Sequence, residues 1–160
     1  QISDGALLGT FAVGANPRGV AFDGANIWVA NHLDNTVSKL KASDGTLLGT
    51  FAVGANPVSV AFDGTHIWVT NFSDDSVSKL RTSDGADLGP FAVGANPRGA
   101  AFDGAHIWVA NGGSRNVSKL RTSDGAELGR FPVGRFPVGV AFDGAHIWVV
   151  NGGDRNVSKL

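Results

Sequence analysis

Four histidines, one glutamate and a series of aspartates placed before glycine are the residues that could do chemistry in this 160-residue chain. His66, His106 and His146 recur at one spacing, with Asn26 at the matching place upstream, and a ring of imidazoles would point to zinc. A Zn–N bond is about 2.0 Å, whereas equivalent side chains on stacked sheets are held near the ~10 Å sheet spacing. These histidines are therefore read as turn-stabilising, and neither a metal nor any other cofactor is expected. Glu127 is the only glutamate, cysteine is absent, and neither a Gly-x-Ser-x-Gly elbow nor a His-Glu-x-x-His pair occurs. Catalysis needs a few unlike groups gathered in one place, whereas this chain offers the same groups again and again. No catalytic residue is expected.

The elements that would position these residues follow from a gapless internal repeat. Residues 1–40, 41–80, 81–120 and 121–160 align with a period of 40, and no linker separates them. Within each unit "GVAF", "IWVAN", "VSKL" and "LLGTFAV" alternate with a period of two and are rich in β-branched and aromatic residues, which marks four short strands. Asp23-Gly24, Asp63-Gly64, Asp103-Gly104 and Asp143-Gly144 separate the first strand from the second, and Asp44, Asp84 and Asp124 precede glycine between the third and fourth. Asp-Gly between alternating runs specifies a hairpin, because glycine accepts the positive φ of a tight turn. Each unit is an antiparallel meander. The second strand is apolar on both faces, with Ile27 and Val29 on one side and Trp28 and Ala30 on the other, so both sides of each sheet must be covered.

A repeating four-stranded sheet of about 40 residues with two covered faces is the blade of a β-propeller. The expected fold is all-β, with four four-stranded antiparallel blades per chain. "WVTN" at Trp68 to Asn71 resembles the YVTN propeller repeat, and "ANPRGVAFDG" with "NTVSKL" is similar to YVTN, NHL and streptogramin-lyase-like blades over all 160 residues. The resemblance implies a secreted or cell-surface setting. It also implies a strand order from innermost "RGVAF" to outermost "LLGTFAV", and, for the lyase, a His and a Glu at the propeller axis that map onto no motif here.

On that order the chain starts with an outermost strand, about residues 6–13, and stops in a third strand at Leu160. The N-terminal strand is expected to latch the last blade, within the chain or from another copy. Sheets stack with a twist of about 30°, while a four-membered ring needs a splay of roughly 90° and an eight-membered ring half of that. The first and last units carry the same apolar positions as the middle ones and do not look like polar caps. The chain is accordingly read as half of an eight-bladed ring closed by a homodimer.

Net charge is −1 with no Lys/Arg run, so nucleic acid is not an expected partner. No apolar stretch reaches the ~20 residues of a bilayer span, and the N-terminus shows no charged-then-apolar export segment, so no membrane partner is expected. The missing methionine and the initial Gln1 fit an excised initiator or a segment of something longer, and the near-identity of the copies fits a fragment or an array amplified recently or by design.

Trp28, Trp68, Trp108 and Trp148 are read as buried packing, and Asp23, Asp63, Asp103 and Asp143 as turn formers. Asn31 and its copies are expected to tie down loop backbone, and Lys39 and its copies to hold their ammonium groups in water. "NFS" at Asn71 and "NVS" at Asn116 and Asn156 match a glycosylation acceptor.

Ligand contacts are expected where the copies differ. The loops after the second strand read "HLDN", "FSDD", "GGSR" and "GGDR", and the segments entering the innermost strand read "ANPR", "ANPV", "ANPR" and "RFPV". Both sets emerge on one face of a propeller and present Arg18, His32, Phe72, Arg98, Arg115, Phe136 and Arg155, a mixture suited to an anionic, small-molecule or glycan ligand. The functional expectation is a non-catalytic, self-assembling scaffold, with a ligand-binding module and a lyase-like enzyme as alternatives.

Overall fold

The computed structural model describes residues 5–160 and contains fifteen strands among them. The first sheet holds β1 (Pro17–Phe22), β2 (Asn26–Asn31), β3 (Thr36–Lys41) and β4 (Leu47–Ala52). The second holds β5 (Pro57–Phe62), β6 (His66–Asn71), β7 (Ser76–Arg81) and β8 (Phe91–Ala92), and the third β9 (Pro97–Phe102), β10 (His106–Asn111), β11 (Asn116–Arg121) and β12 (Glu127–Pro132). The last sheet has three strands, β13 (Pro137–Phe142), β14 (Ile147–Asn151) and β15 (Asn156–Lys159), so three blades are complete and the fourth lacks an outer strand. All pairing is antiparallel between consecutive strands. No helix of the described residues is long and apolar enough to cross a membrane.

The hairpins form where Asp-Gly stands. Gly24, Gly64, Gly104 and Gly144 take φ of 98°, 95°, 95° and 96°, a region that a side chain would strain, and Asp63 N–H closes its turn onto His66 O at 3.1 Å. β8 shrinks to two residues because Pro90 stands where Thr50 and Arg130 stand in the other outer strands and has no N–H to give the ladder.

Each blade turns its tryptophan side toward the next. Trp28, Ala30 and Val37 of the first sheet pack on Val60, Ile67, Val69 and Leu80 of the second, and the same halves meet at the next two junctions. The inner strands β1, β5, β9 and β13 run side by side, and a Cβ on Gly19 would stand 2.6 Å from Val58 O, so that glycine permits the close approach of β1 to β5.

The two ends of the array are open. Val20 and Phe22 on the first sheet are 63% and 54% exposed, whereas the equivalent Val60 is buried, and on the last sheet Val150 and Val157 are 47% and 56% exposed. Trp148 is likewise only partly covered, a departure from the expectation of four buried tryptophans that follows from its having no next blade. Residues 5–13 form no strand within the single chain, yet Phe11 lies over Gly45 just as Phe51 lies over Gly85 and Phe91 over Gly125. The N-terminal segment thus sits against the first blade in the place of a preceding blade's outer strand.

Candidate functional site

The Asp-Gly turns are structural clamps. Asp63 Oδ2 accepts the indole N–H of Trp68 at 2.7 Å while its Oδ1 accepts the backbone N–H of Thr65 and His66, and Asp23, Asp103 and Asp143 do the same for Trp28, Trp108 and Trp148. Burial pushes the Asp63 carboxyl up, but these donors together outweigh it and hold the group below its ordinary range. Turn chemistry alone accounts for Asp before Gly; the indole partner five residues on is a second role legible as the fixed Asp-x₄-Trp spacing.

The histidines stay with their own turns. His66 Nδ1 meets Thr65 Oγ1 at 2.8 Å, and His106 and His146 approach Asp103 and Asp143 at 3.3 and 3.5 Å. No cluster of three or more metal-ligating side chains occurs among the described residues. Asn31 ties down loop backbone by accepting from Gly14 N–H, and donates to the Thr36 and Ser38 hydroxyls. Asn71, the first residue of "NFS", is fully buried with its amide donating to Ser76 and Ser78, so it offers no acceptor for a glycan.

Lys39 and Lys79 depart from the expectation of ammonium groups held in water, whereas Lys159 is exposed. Lys79 is 4% exposed, with Nζ donating to Thr122 O and Ser123 O on the next blade and lying 5.3 Å from the Trp68 ring centroid; Lys39 reaches Thr82 O in the same way. Two backbone carbonyls and an aromatic face replace water around the ammonium.

On the opposite face the loops after the second strands meet the segments that enter the first strands. His32 N–H and Leu33 N–H donate to Asn16 O and Ala15 O, which joins the loop after β2 to the segment entering β1. Arg18, His32, Val58, Phe72 and Arg98 line one cleft of about 190 Å³. The Arg98 guanidinium stacks between Phe72 and Phe136, at 5.0 and 4.7 Å from the ring centroids. Thr70 Oγ1 donates to Arg98 O at 2.7 Å and fixes the backbone beneath. Gly112 makes the room, since a Cβ there would be 3.1 Å from Arg98 Nε. Arg115 and Arg155 stand apart, at the positive-φ corners of the loops after β10 and β14, and do not line this cleft.

No family model and no curated protein matches this sequence. Solved structures do: hydrazine synthase from Kuenenia stuttgartiensis (23% identity, 98% of this chain and 49% of that one, TM-score 0.83) and a streptogramin B lyase (16%, 91% and 54%, 0.75). The computationally designed Ika4 protein is similar at 12% identity, over 93% of this chain and 92% of its own, with a TM-score of 0.82. The chain spans about half the length of the first two. The likeness is one of fold, and with the blades described above it places this chain among the β-propellers, as an arc of four antiparallel blades.

Proposed function

We propose that the chain is a self-assembling propeller scaffold without catalytic activity, and that two copies close one ring of eight blades. The observation that carries this reading is a matched pair of vacancies. Trp28, Trp68 and Trp108 stack on Phe51, Phe91 and Phe131 of their own blades at 5.7, 5.8 and 5.4 Å, while among the described residues Trp148 stacks on no phenylalanine and Phe11 on no tryptophan. Phe11 occupies the same repeat position as Phe51, so residues 6–13 of one copy can complete the sheet of β15 in the other and bring Phe11 to Trp148.

The exposed end faces are complementary in the same sense. The tryptophan side of the last blade meets, in a second copy, the Val20 and Phe22 side of the first blade, which repeats the three junctions already inside the chain. A two-fold axis makes both such junctions equal and leaves no end uncovered. Light scattering tests the reading: about 33 kDa is expected from the 16.4 kDa chain. A compact monomer or a trimer overturns it.

A further inference from the structure

We propose that the cleft between Arg18 and Arg98 is a binding site for a small phosphate-type dianion. This inference is independent of assembly, because every residue it uses belongs to one chain and its lining spans the first three blades.

Three arginines pair with carboxylates, and among the described residues five, Arg18, Arg98, Arg115, Arg135 and Arg155, do not; of these five only Arg18 and Arg98 line one cleft. Arg81 and Arg121, at the ends of β7 and β11, and Arg130 of β12 each pair with a carboxylate three residues away, Asp84, Asp124 and Glu127, at 2.8 to 3.0 Å. Arg18 and Arg98 pair with no carboxylate among the described residues, and no acid lines their cleft. The acids of that face are engaged elsewhere: Asp34, Asp74, Asp75 and Asp154 accept backbone N–H groups of Ala15, Ala55, Asn96 and Arg135. Two guanidinium charges therefore share a cleft of about 190 Å³ without a counter-charge from the protein.

Arg98 is held there at a cost. Its Nε is buried and has no hydrogen-bond partner, and one of the two rings that clamp it, Phe136, takes φ of 55° where the other three blades have asparagine. A left-handed backbone is unfavourable for a bulky aromatic residue and tolerable for Asn, so the conformation fixes the ring over the guanidinium at the expense of local strain. Residues held in such conformations concentrate at binding sites. His32 forms a wall of the cleft and not a donor to it: its Nδ1 lies 3.2 Å from Pro57 O, which can only accept, so Nδ1 carries the hydrogen and ties the ring to the backbone of the second blade. Two planar guanidinium forks suit the several acceptor oxygens of a phosphate better than a neutral sugar.

The test is titration of the whole chain with inorganic phosphate, and in parallel with phosphoserine, at low ionic strength, followed by amide chemical shifts. Saturable shifts are expected around Arg18, His32, Phe72 and Arg98, with either probe. A stronger response to phosphoserine assigns a monoester, and a stronger response to phosphate the free ion. Arg18 is exposed, so Arg18→Gln should weaken binding about tenfold with unchanged thermal stability. Arg115→Gln, on the same face but outside the cleft, should leave the affinity unchanged. Non-saturable shifts, shifts confined to the Asp-Gly turn face, or equal losses in the Arg18 and Arg115 variants overturn the site. None of these results depends on whether the chain is a monomer or a dimer.

Discussion

Asp63 and Trp68 are joined by a 2.7 Å hydrogen bond from the indole N–H to the carboxylate, and the Asp63 side chain is only 1% exposed. Removing the acceptor strands the buried indole N–H and takes the partner from two part-buried backbone donors. Asp63→Ala should therefore cost about 1–3 kcal/mol by chemical denaturation. Asp143 makes the same contacts but its side chain is 41% exposed, so Asp143→Ala in a single chain should cost less. Equal losses at the two sites would show that burial does not set the value of this clamp.

The clamps also fix an acid limit. The folded-state pKa values of Asp23, Asp63, Asp103 and Asp143 all lie below the ordinary 3.8. The unfolded chain then takes up protons first, so their contribution is complete above about pH 4 and is lost as pH falls through the folded values. His66 acts in the same direction but earlier. Burial, then the nearby Lys79 charge, lowers its pKa from 6.5, so a shallow loss of stability should begin below that pH. Melting temperatures measured from pH 7 to 3 should fall in these two stages. His66→Gln should flatten the first stage and leave the second.

Lys79→Met should lose about 1–3 kcal/mol, because Thr122 O and Ser123 O surrender their donor at a covered junction. Lys159 lies 5.1 Å from the Trp148 ring centroid, at the matching place on the open end of the chain, and its next-blade carbonyl would belong to a second copy. Lys159→Met should leave the stability of an isolated chain unchanged and shift the dimer toward monomer in dilution experiments read by sedimentation.

Deleting residues 1–14 should leave the edge of β15 bare in an assembled ring and cause aggregation, since an uncovered edge strand recruits other edges. Trp148 reports the same event optically: it is 36% exposed in the single chain and should become shielded from an aqueous quencher on dimerisation. A truncated chain that stays dimeric, with Trp148 quenched no more than before, would rule out the N-terminal segment as the closing strand.

The period of 40, the alternation within each unit and the Asp-Gly turns determined the blades, because strand formation and hairpin closure depend on residues a few places apart. The incomplete last sheet followed from the same register. Contacts between blades were a different matter. Lys79 meets Thr122 across 43 residues, and period-two patterning says which face a side chain takes but not which carbonyl awaits it there. The same holds for "ANPR", written identically at 15–18 and 95–98. Arg18 stands exposed beside His32, while Arg98 is half-buried between Phe72 and Phe136, contributed by the blades before and after its own. Local sequence placed both arginines on the loop face. Only the tertiary structure made one of them a clamped, unpaired charge, because its surroundings come from residues 26 and 38 positions away whose identities differ from blade to blade.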